Sequence, residues 1–289
     1  MFNTPKKIDL HTHTYCSDGS MSPTELVRHA KEQGVSAIAI TDHDTIKGIN
    51  EGLEAGEKYG VEVIPAVEFS SQSLSQVHVL GYYIDINSPS LLKVFAEQQE
   101  ERKISNQKYL KVLAEHGFVI TDEEVQRVAP HGGVGRAHYA KIMMEHGWVS
   151  SVKEAFDLYL GVGMPCYIER EVITPEKAIE IIHNAGGLAF FAHPHQTKLP
   201  EDKLYQFIKH LKNNGLDGIE GYYTEYTPEM QERFLSIAKE LDLLVSGGSD
   251  FHAQMKPHIQ IGTGTGNLNI DYSVLEKIKS KKFTQDKKQ

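Results

Sequence analysis

Short apolar runs that each stop at a histidine, aspartate or glutamate recur along this chain, and they constrain its fold more than any other feature. Ile8-Asp9-Leu10 leads into His11-Thr12-His13 with Asp18 in the turn beyond, and the run VSAIAI leads into Thr41-Asp42-His43-Asp44. Val61 to Val67 delivers Glu68, LAFFA delivers His193-Pro194-His195, and Leu243 to Ser246 leads through Gly247-Gly248-Ser249 to Asp250-Phe251-His252. A further run, Gln76 to Ile84, carries His78 among valines and a leucine. Runs of this length, rich in β-branched and aromatic residues, read as strands. Side chains alternate along a strand, so His11 and His13 reach the same side, where two imidazoles can share one ion.

Helical signals separate most of these runs. Ser22-Pro23-Thr24-Glu25 is a capping box with proline at the first helical position, and the helix it opens stops at Gly34. A second helix is expected from Thr45 to Tyr59, closing at Gly60; others open at Thr174-Pro175, Glu201 and Thr227-Pro228. The alternation predicts an α/β chain with a mainly parallel sheet. Between Leu91 and Gly163 no strand-like run appears, and two expected capping boxes, Thr121 with Glu124 and Ser151 with Glu154, mark helices. Residues 91–163 therefore read as an all-helical insertion, dividing the barrel into 1–90 and 164–289. Within it, His131-Gly132-Gly133-Val134-Gly135-Arg136-Ala137-His138 joins two helices.

The net charge of −9 over 289 residues, with a pI near 5.9, argues against a protein that coats long duplex DNA, whose affinity comes from neutralising many phosphates. Two cysteines, Cys16 and Cys166, make no disulfide framework and no CxxC pair, which predicts a reduced, cytoplasmic protein. No apolar leader opens the sequence, and no run reaches the length of a membrane span. Cys16 reads as a buried small residue. The run IGTGTG, with Gly262 to Gly266, lacks the helix with Lys-Ser/Thr that a phosphate loop needs and reads as a turn.

In parallel βα barrels the C-terminal strand ends share one face, so ligand-type residues far apart in sequence converge there. Imidazoles and carboxylates together suit Mn, Fe or Zn, and bridging carboxylates can hold neighbouring ions. Asp42 and Asp44 flank His43, and one of them is placed to orient its imidazole.

Four of these stretches in order, His11-Thr12-His13 with Asp18, Thr41 to Asp44, His193-Pro194, and Ser249 to His252, resemble the motifs of the polymerase and histidinol phosphatase (PHP) domain family. The resemblance covers nearly the whole chain and implies a distorted (β/α)7 barrel with three metal ions in its mouth. Carried over by position, His11, His13, Glu68 and Asp250 hold one ion; Glu68 bridges to a second, shared with His78 and His193; Asp18, His43 and His252 hold the third. Gly135 to His138 and Ala155 to Gly163 resemble most the bacterial branch that hydrolyses nucleoside 3′,5′-bisphosphates and trims short RNA from its 5′ end. That likeness implies that the insertion caps the metals and that Arg136 and His138 bind a substrate phosphate, the guanidinium through its fork. The branch often continues Gly-Arg after His-Pro, whereas this chain has His195-Gln196, so one phosphate contact is missing. His195 either protonates the leaving alcohol or lines the pocket.

The expected function is a metal-dependent phosphoesterase in which Asp18 and His43 act as catalytic ligands and metal-activated hydroxide attacks phosphorus. Its expected partner is a small phosphorylated substrate, a nucleotide or a short RNA end, with neither long-duplex DNA nor a membrane. Two alternatives stay open: a phosphatase of histidinol phosphate or another small monoester, and a non-catalytic metal-binding module.

Overall fold

The computed structural model describes residues 6–73, 76–129, 134–168 and 173–286. The chain divides into two compact units, Met1–Leu92 with Val172–Gln289, and Lys93–Glu171.

In the first unit the described residues form seven strands in one sheet, in sequence order: β1 (Lys7–Thr12), β2 (Val35–Ile40), β3 (Glu62–Gln72), β4 (Gln76–Tyr82), β5 (Leu188–Phe191), β6 (Gly218–Tyr223) and β7 (Leu244–Gly248). All neighbours are parallel except β4, which runs antiparallel to both β3 and β5. A parallel bridge from Thr12 to Phe251, and hydrogen bonds from the Asp250 N–H to the His11 carbonyl and from the His13 N–H to the Phe251 carbonyl (both 2.9 Å), draw the segment after β7 against β1. The sheet is thus nearly closed into a seven-stranded barrel, as the family resemblance implies.

Strand alternation builds its interior. Ile8 and Leu10, Ala37 and Ala39, Ile64 and Ala66, Leu80 and Tyr82, and Leu188 and Phe190 enter one core cluster, joined by Leu275 and Ile278 of the last helix. On the other side of β2 and β3, Leu26, Val27 and Ala30 of helix α1 (Pro23–Glu32) pack with Ile38, Ile40 and Val63. Both hydrogen bonds of the Ser22–Glu25 box form at the start of α1. Asp9 is buried in β1 and ties three segments together, accepting the backbone N–H groups of Ser249 (2.9 Å) and Gly262 (2.7 Å) as well as the Ser249 hydroxyl. Gly262 (φ +70°) and the Gln260–Gly264 bridge make the glycine run a turn, as expected.

Two of the boundaries that differ from the sequence expectation lie beside the ligand-type residues. Helix α2 runs Ile49–Tyr59 and omits Thr45 to Gly48, because His43 and Asp44 are held against β3: the Asp44 N–H donates to the Glu68 carbonyl (3.0 Å) and Asp44 Oδ1 accepts the Ser70 N–H (2.9 Å). Strand β3 continues past Glu68 to Gln72 because it pairs antiparallel with β4, Ser70 opposite His78. Glu68 therefore lies inside a strand rather than at its end.

The remaining helices of this unit are α7 (Pro175–Asn184), α8 (Glu201–Asn213), α9 (Pro228–Glu240) and α10 (Ser273–Asp286), with 3-10 turns at Pro194–Thr197 and Ala253–Met255. Thr174 and Thr227 cap α7 and α9 through their hydroxyls, each followed by proline.

Helix α3 (Pro89–Glu115) leads into the second unit, which continues with α4 (Asp122–Val128), α5 (Arg136–Glu145), α6 (Val152–Ala155) and a π-helical turn, Phe156–Leu160. Its described residues contain no strand. Tyr109, Leu113, Tyr139, Ile142, Met143 and Leu160 share its core with the free thiol of Cys166. The unit runs past Gly163 because the Cys166 N–H donates to the Tyr159 carbonyl (2.8 Å) and the Tyr109 hydroxyl to the Ile168 carbonyl (3.1 Å). The Thr121–Glu124 box is complete; at Ser151 only half forms, since the Glu154 carboxylate accepts from Ser150 instead. Residues 130–133 of the expected joining stretch lie outside the described residues. No helix among the described residues is long and apolar enough to cross a membrane.

Candidate metal centre

The fold brings together all nine residues expected to hold metal, in overlapping groups whose donor atoms lie within 4.8 Å of one another. The groups are His13, Asp18, His43 and His252; His11, His13 and Asp250; His11, Glu68 and His193; and His43, Glu68 and His78. The first group contains Asp18, His43 and His252 with His13 added, and the second lies within the set that the family resemblance gives to one ion; the other two join Glu68 to His11 with His193 and to His43 with His78.

Glu68 is the hub. Its Oε2 faces His11 Nε2 (3.2 Å), His13 Nε2 (3.2 Å) and His43 Nδ1 (3.4 Å), while Oε1 faces His78 Nδ1 (2.8 Å) and His193 Nε2 (3.0 Å). A carboxylate with donors on both sides has the layout of a bridging ligand. Asp18 reaches the cluster from its turn, Oδ1 lying 3.2 Å from His252 Nε2 and 3.5 Å from His13 Nδ1. Gly19 allows that approach, because a Cβ there would lie 2.5 Å from the His13 carbonyl oxygen. Gly248 does the same for β7, where a Cβ would meet His11 Cβ and N at 2.4 Å.

Backbone geometry contributes too. A register shift between β1 and β2 falls between Asp9 and Thr12, around His11. His193 (φ +28°) and Asp250 (φ +57°) sit in the left-handed region despite carrying side chains, a cost that persists only where the surroundings over-determine the residue. For His193 those surroundings are Glu220, which accepts its N–H at 2.8 Å, and Glu68 on its ring.

The donor set fits cations. Both ring nitrogens of His13 and Nδ1 of His43 are buried without a hydrogen-bond partner, as befits nitrogens that a cation would engage. Burial also holds His43 and His193 down at about 4, keeping them neutral and able to donate lone pairs. At His13 burial works the same way, but Asp250, Glu68 and Asp18 outweigh it and raise the ring to about 10. Glu68 and Asp250 are held well below the usual carboxylate range: burial opposes ionisation, and the surrounding imidazoles overcome it.

Three contributors were not identified in the sequence. Glu220 of β6 is fully buried, and its Oε1 lies 2.9 Å from His11 Nδ1. That contact leaves His11 Nε2 for an ion, the usual way a carboxylate fixes the tautomer of a ligating histidine. Tyr223 donates its hydroxyl to Asp250 Oδ2 (2.8 Å), and Lys256 donates to the same oxygen (2.7 Å). A carboxylate inside the apolar strand DGIEGYY was the available signal for Glu220; nothing local marks Lys256.

Of the two aspartates flanking His43, one of which was expected to orient its imidazole, Asp42 is committed elsewhere: its carboxylate accepts the Thr14 N–H (2.8 Å) and hydroxyl (2.6 Å) and the Ser17 hydroxyl, bracing the loop between His13 and Asp18. Cys16 is free, half-buried and outside every ligand group. His195 also stands outside them, its Nε2 3.1 Å from Glu225 Oε2 and its ring against Tyr223 and Tyr226.

In the second unit, Arg136 stacks on Phe156 (5.6 Å) and Tyr167 (5.3 Å) and donates to the Leu160 carbonyl (3.2 Å). His138 Nδ1 accepts the Gly135 N–H (3.1 Å) and caps α5.

Comparison with known proteins gives this arrangement its relatives. A 5′-3′ exoribonuclease of Haemophilus influenzae is 37% identical over 86% of this chain and 90% of its own. A 3′,5′-nucleoside bisphosphate phosphatase of Chromobacterium violaceum is 30% identical over 85% of this chain and 87% of its own. A solved structure from Bifidobacterium adolescentis, assigned as a metal-dependent phosphoesterase, superposes with a TM-score of 0.81 at 29% identity, covering 95% of this chain and 96% of that one. The PHP domain matches residues 9–256, from β1 through Lys256, and the chain belongs to that family.

Proposed function

We propose that this chain is a metal-dependent phosphoesterase that hydrolyses phosphate monoesters of small nucleotides, with nucleoside 3′,5′-bisphosphates and the 5′ ends of short RNA as substrates. The convergence of six imidazoles and three carboxylates, with Glu68 at the hub, carries the reading. The relatives support it, since one is a nucleoside bisphosphate phosphatase and another a 5′-3′ exoribonuclease. The nitrogen and oxygen donors suit Mn, Fe or Zn, and the nine residues are enough for three ions. Bound there, the ions supply Lewis acidity and lower the pKa of coordinated water.

The chain's own residues do the rest. Glu68 and Asp250, kept ionised among the histidines, bring negative charge to the centre, and Glu220 fixes the donor atom of His11. Arg136 and His138 bind a substrate phosphate; the two rings that hold Arg136 reduce the entropy lost when its guanidinium takes up an anion. His195, paired with Glu225, gives the leaving alcohol its proton.

The test is phosphate release, with Mn²⁺ supplied, from a nucleoside 3′,5′-bisphosphate, a nucleoside 5′-monophosphate, a 5′-phosphorylated short RNA and histidinol phosphate. The bisphosphate and RNA are expected to lead, and Asp18→Ala or His43→Ala to lower turnover by at least about a hundredfold, as for removal of a group that stabilises developing charge. Undiminished turnover in either variant would falsify the assignment, and preference for histidinol phosphate would replace the substrate.

A further inference from the structure

The outer oxygen of Asp250 has two donors of different character. Tyr223 is buried, at 1% exposure, and its hydroxyl lies 2.8 Å from Oδ2. Lys256 reaches the same oxygen at 2.7 Å, but its side chain is 36% exposed. The other oxygen, Oδ1, turns inward to His13 Nε2 (3.2 Å) and His11 Nε2 (3.5 Å). The 3-10 turn Ala253–Met255 reverses the chain after His252 and sends Lys256 back over the carboxylate six residues before it.

We propose that Lys256 is a substrate-phosphate ligand that Asp250 holds in waiting and releases to the incoming anion. This rests on the phosphoesterase reading. Three features carry it. First, removing the ammonium from Asp250 leaves no bare oxygen, because the Tyr223 hydroxyl still satisfies Oδ2. Second, a cation held by His11, His13 and Asp250 would offset the charge that attracts Lys256 and so would weaken the ion pair. Third, a lysine carries its charge on a flexible four-carbon stem, so an ammonium that is partly solvated can move to a phosphoryl oxygen without backbone change.

The competing role is structural, with Lys256 only neutralising Asp250. Binding of inorganic phosphate to the metal-loaded protein, followed by calorimetry, separates the two, alongside KM and kcat on a nucleoside 3′,5′-bisphosphate. Lys256→Met is expected to weaken phosphate binding roughly tenfold to a hundredfold, the range for one charge-assisted hydrogen bond. KM should rise with it, metal content should stay unchanged, and Lys256→Arg should recover most of the affinity. Phosphate affinity and KM unchanged in Lys256→Met at full metal content would overturn the proposal. If Lys256→Met loses metal or fails to fold, Lys256→Gln decides: wild-type metal content with phosphate affinity weakened at least about tenfold supports a ligand, whereas wild-type affinity and KM overturn it. A wild-type protein that binds no phosphate and hydrolyses no phosphoester refutes the parent reading instead.

Discussion

Replacing Glu220 by Gln tests whether the metal centre depends on a carboxylate that touches no ion site directly. Glu220 is fully buried and serves two donors at once, the His11 ring nitrogen Nδ1 (2.9 Å) and the His193 backbone N–H (2.8 Å). An amide has the same shape but only one accepting atom. If its oxygen serves His11, its NH₂ confronts the His193 N–H. If its NH₂ faces His11, Nδ1 must give up its proton and Nε2 must carry it, which closes the donor atom meant for the ion. Either arrangement perturbs a ligand, and outer-shell partners of this type are worth about tenfold to a hundredfold in metal affinity. That corresponds to about 1.4 to 2.7 kcal/mol. Competition against a chromophoric chelator, with Mn²⁺ and Zn²⁺ separately, measures the loss; a circular dichroism melt of the metal-free variant checks that the fold survives. A folded Glu220→Gln protein that binds both ions within twofold of wild type would show that the His11–Glu220 pair does not set the tautomer.

The metal-free protein is expected to be most stable near pH 6.5 and to lose stability on both sides. His13, raised from 6.5 to about 10, adds stability that is whole below 6.5 and vanishes as pH rises through about 10; His43 and His193, lowered to about 4, destabilise the fold as pH falls from 6.5 through about 4. Thermal melts of chelated protein between pH 4 and 10 read this directly, and His13→Asn should flatten the alkaline limb; a steadily rising curve contradicts the assignment. For His195, a proton donor matters most when the leaving group is basic. His195→Gln should therefore slow release from an alkyl phosphate at least about tenfold while sparing p-nitrophenyl phosphate, and equal effects on both would reduce His195 to a pocket wall.

How much of this centre was legible in the sequence follows from how each residue is held. His11, His13, His43, His193, Asp250 and His252 could be placed because each stands at or just beyond the end of an apolar run, and a parallel barrel collects those ends on one face. The same periodicity misjudged where β3 ends, since its last residues are set by antiparallel pairing with β4 rather than by anything local. It also started α2 at Thr45, because the residues after His43 have good helical character but their backbone is committed to Glu68 and Ser70. The division of ligands among ions could not be read from spacing either, because His11, His13, His43 and Glu68 each enter two of the overlapping donor groups. Glu220 and Lys256 illustrate two further limits. A buried glutamate in a short strand signals that it has a partner, but finding that partner means knowing that β1 lies across the barrel, 209 residues away in sequence. Lys256 lies only six residues from Asp250, yet their contact depends on a 3-10 turn after His252 that no capping residue announces. Most of the donors that a metal site needs are therefore written as strand-end residues, whereas the groups that orient and balance them are chosen by tertiary contacts, and substitutions at those groups are the more searching test of the mechanism.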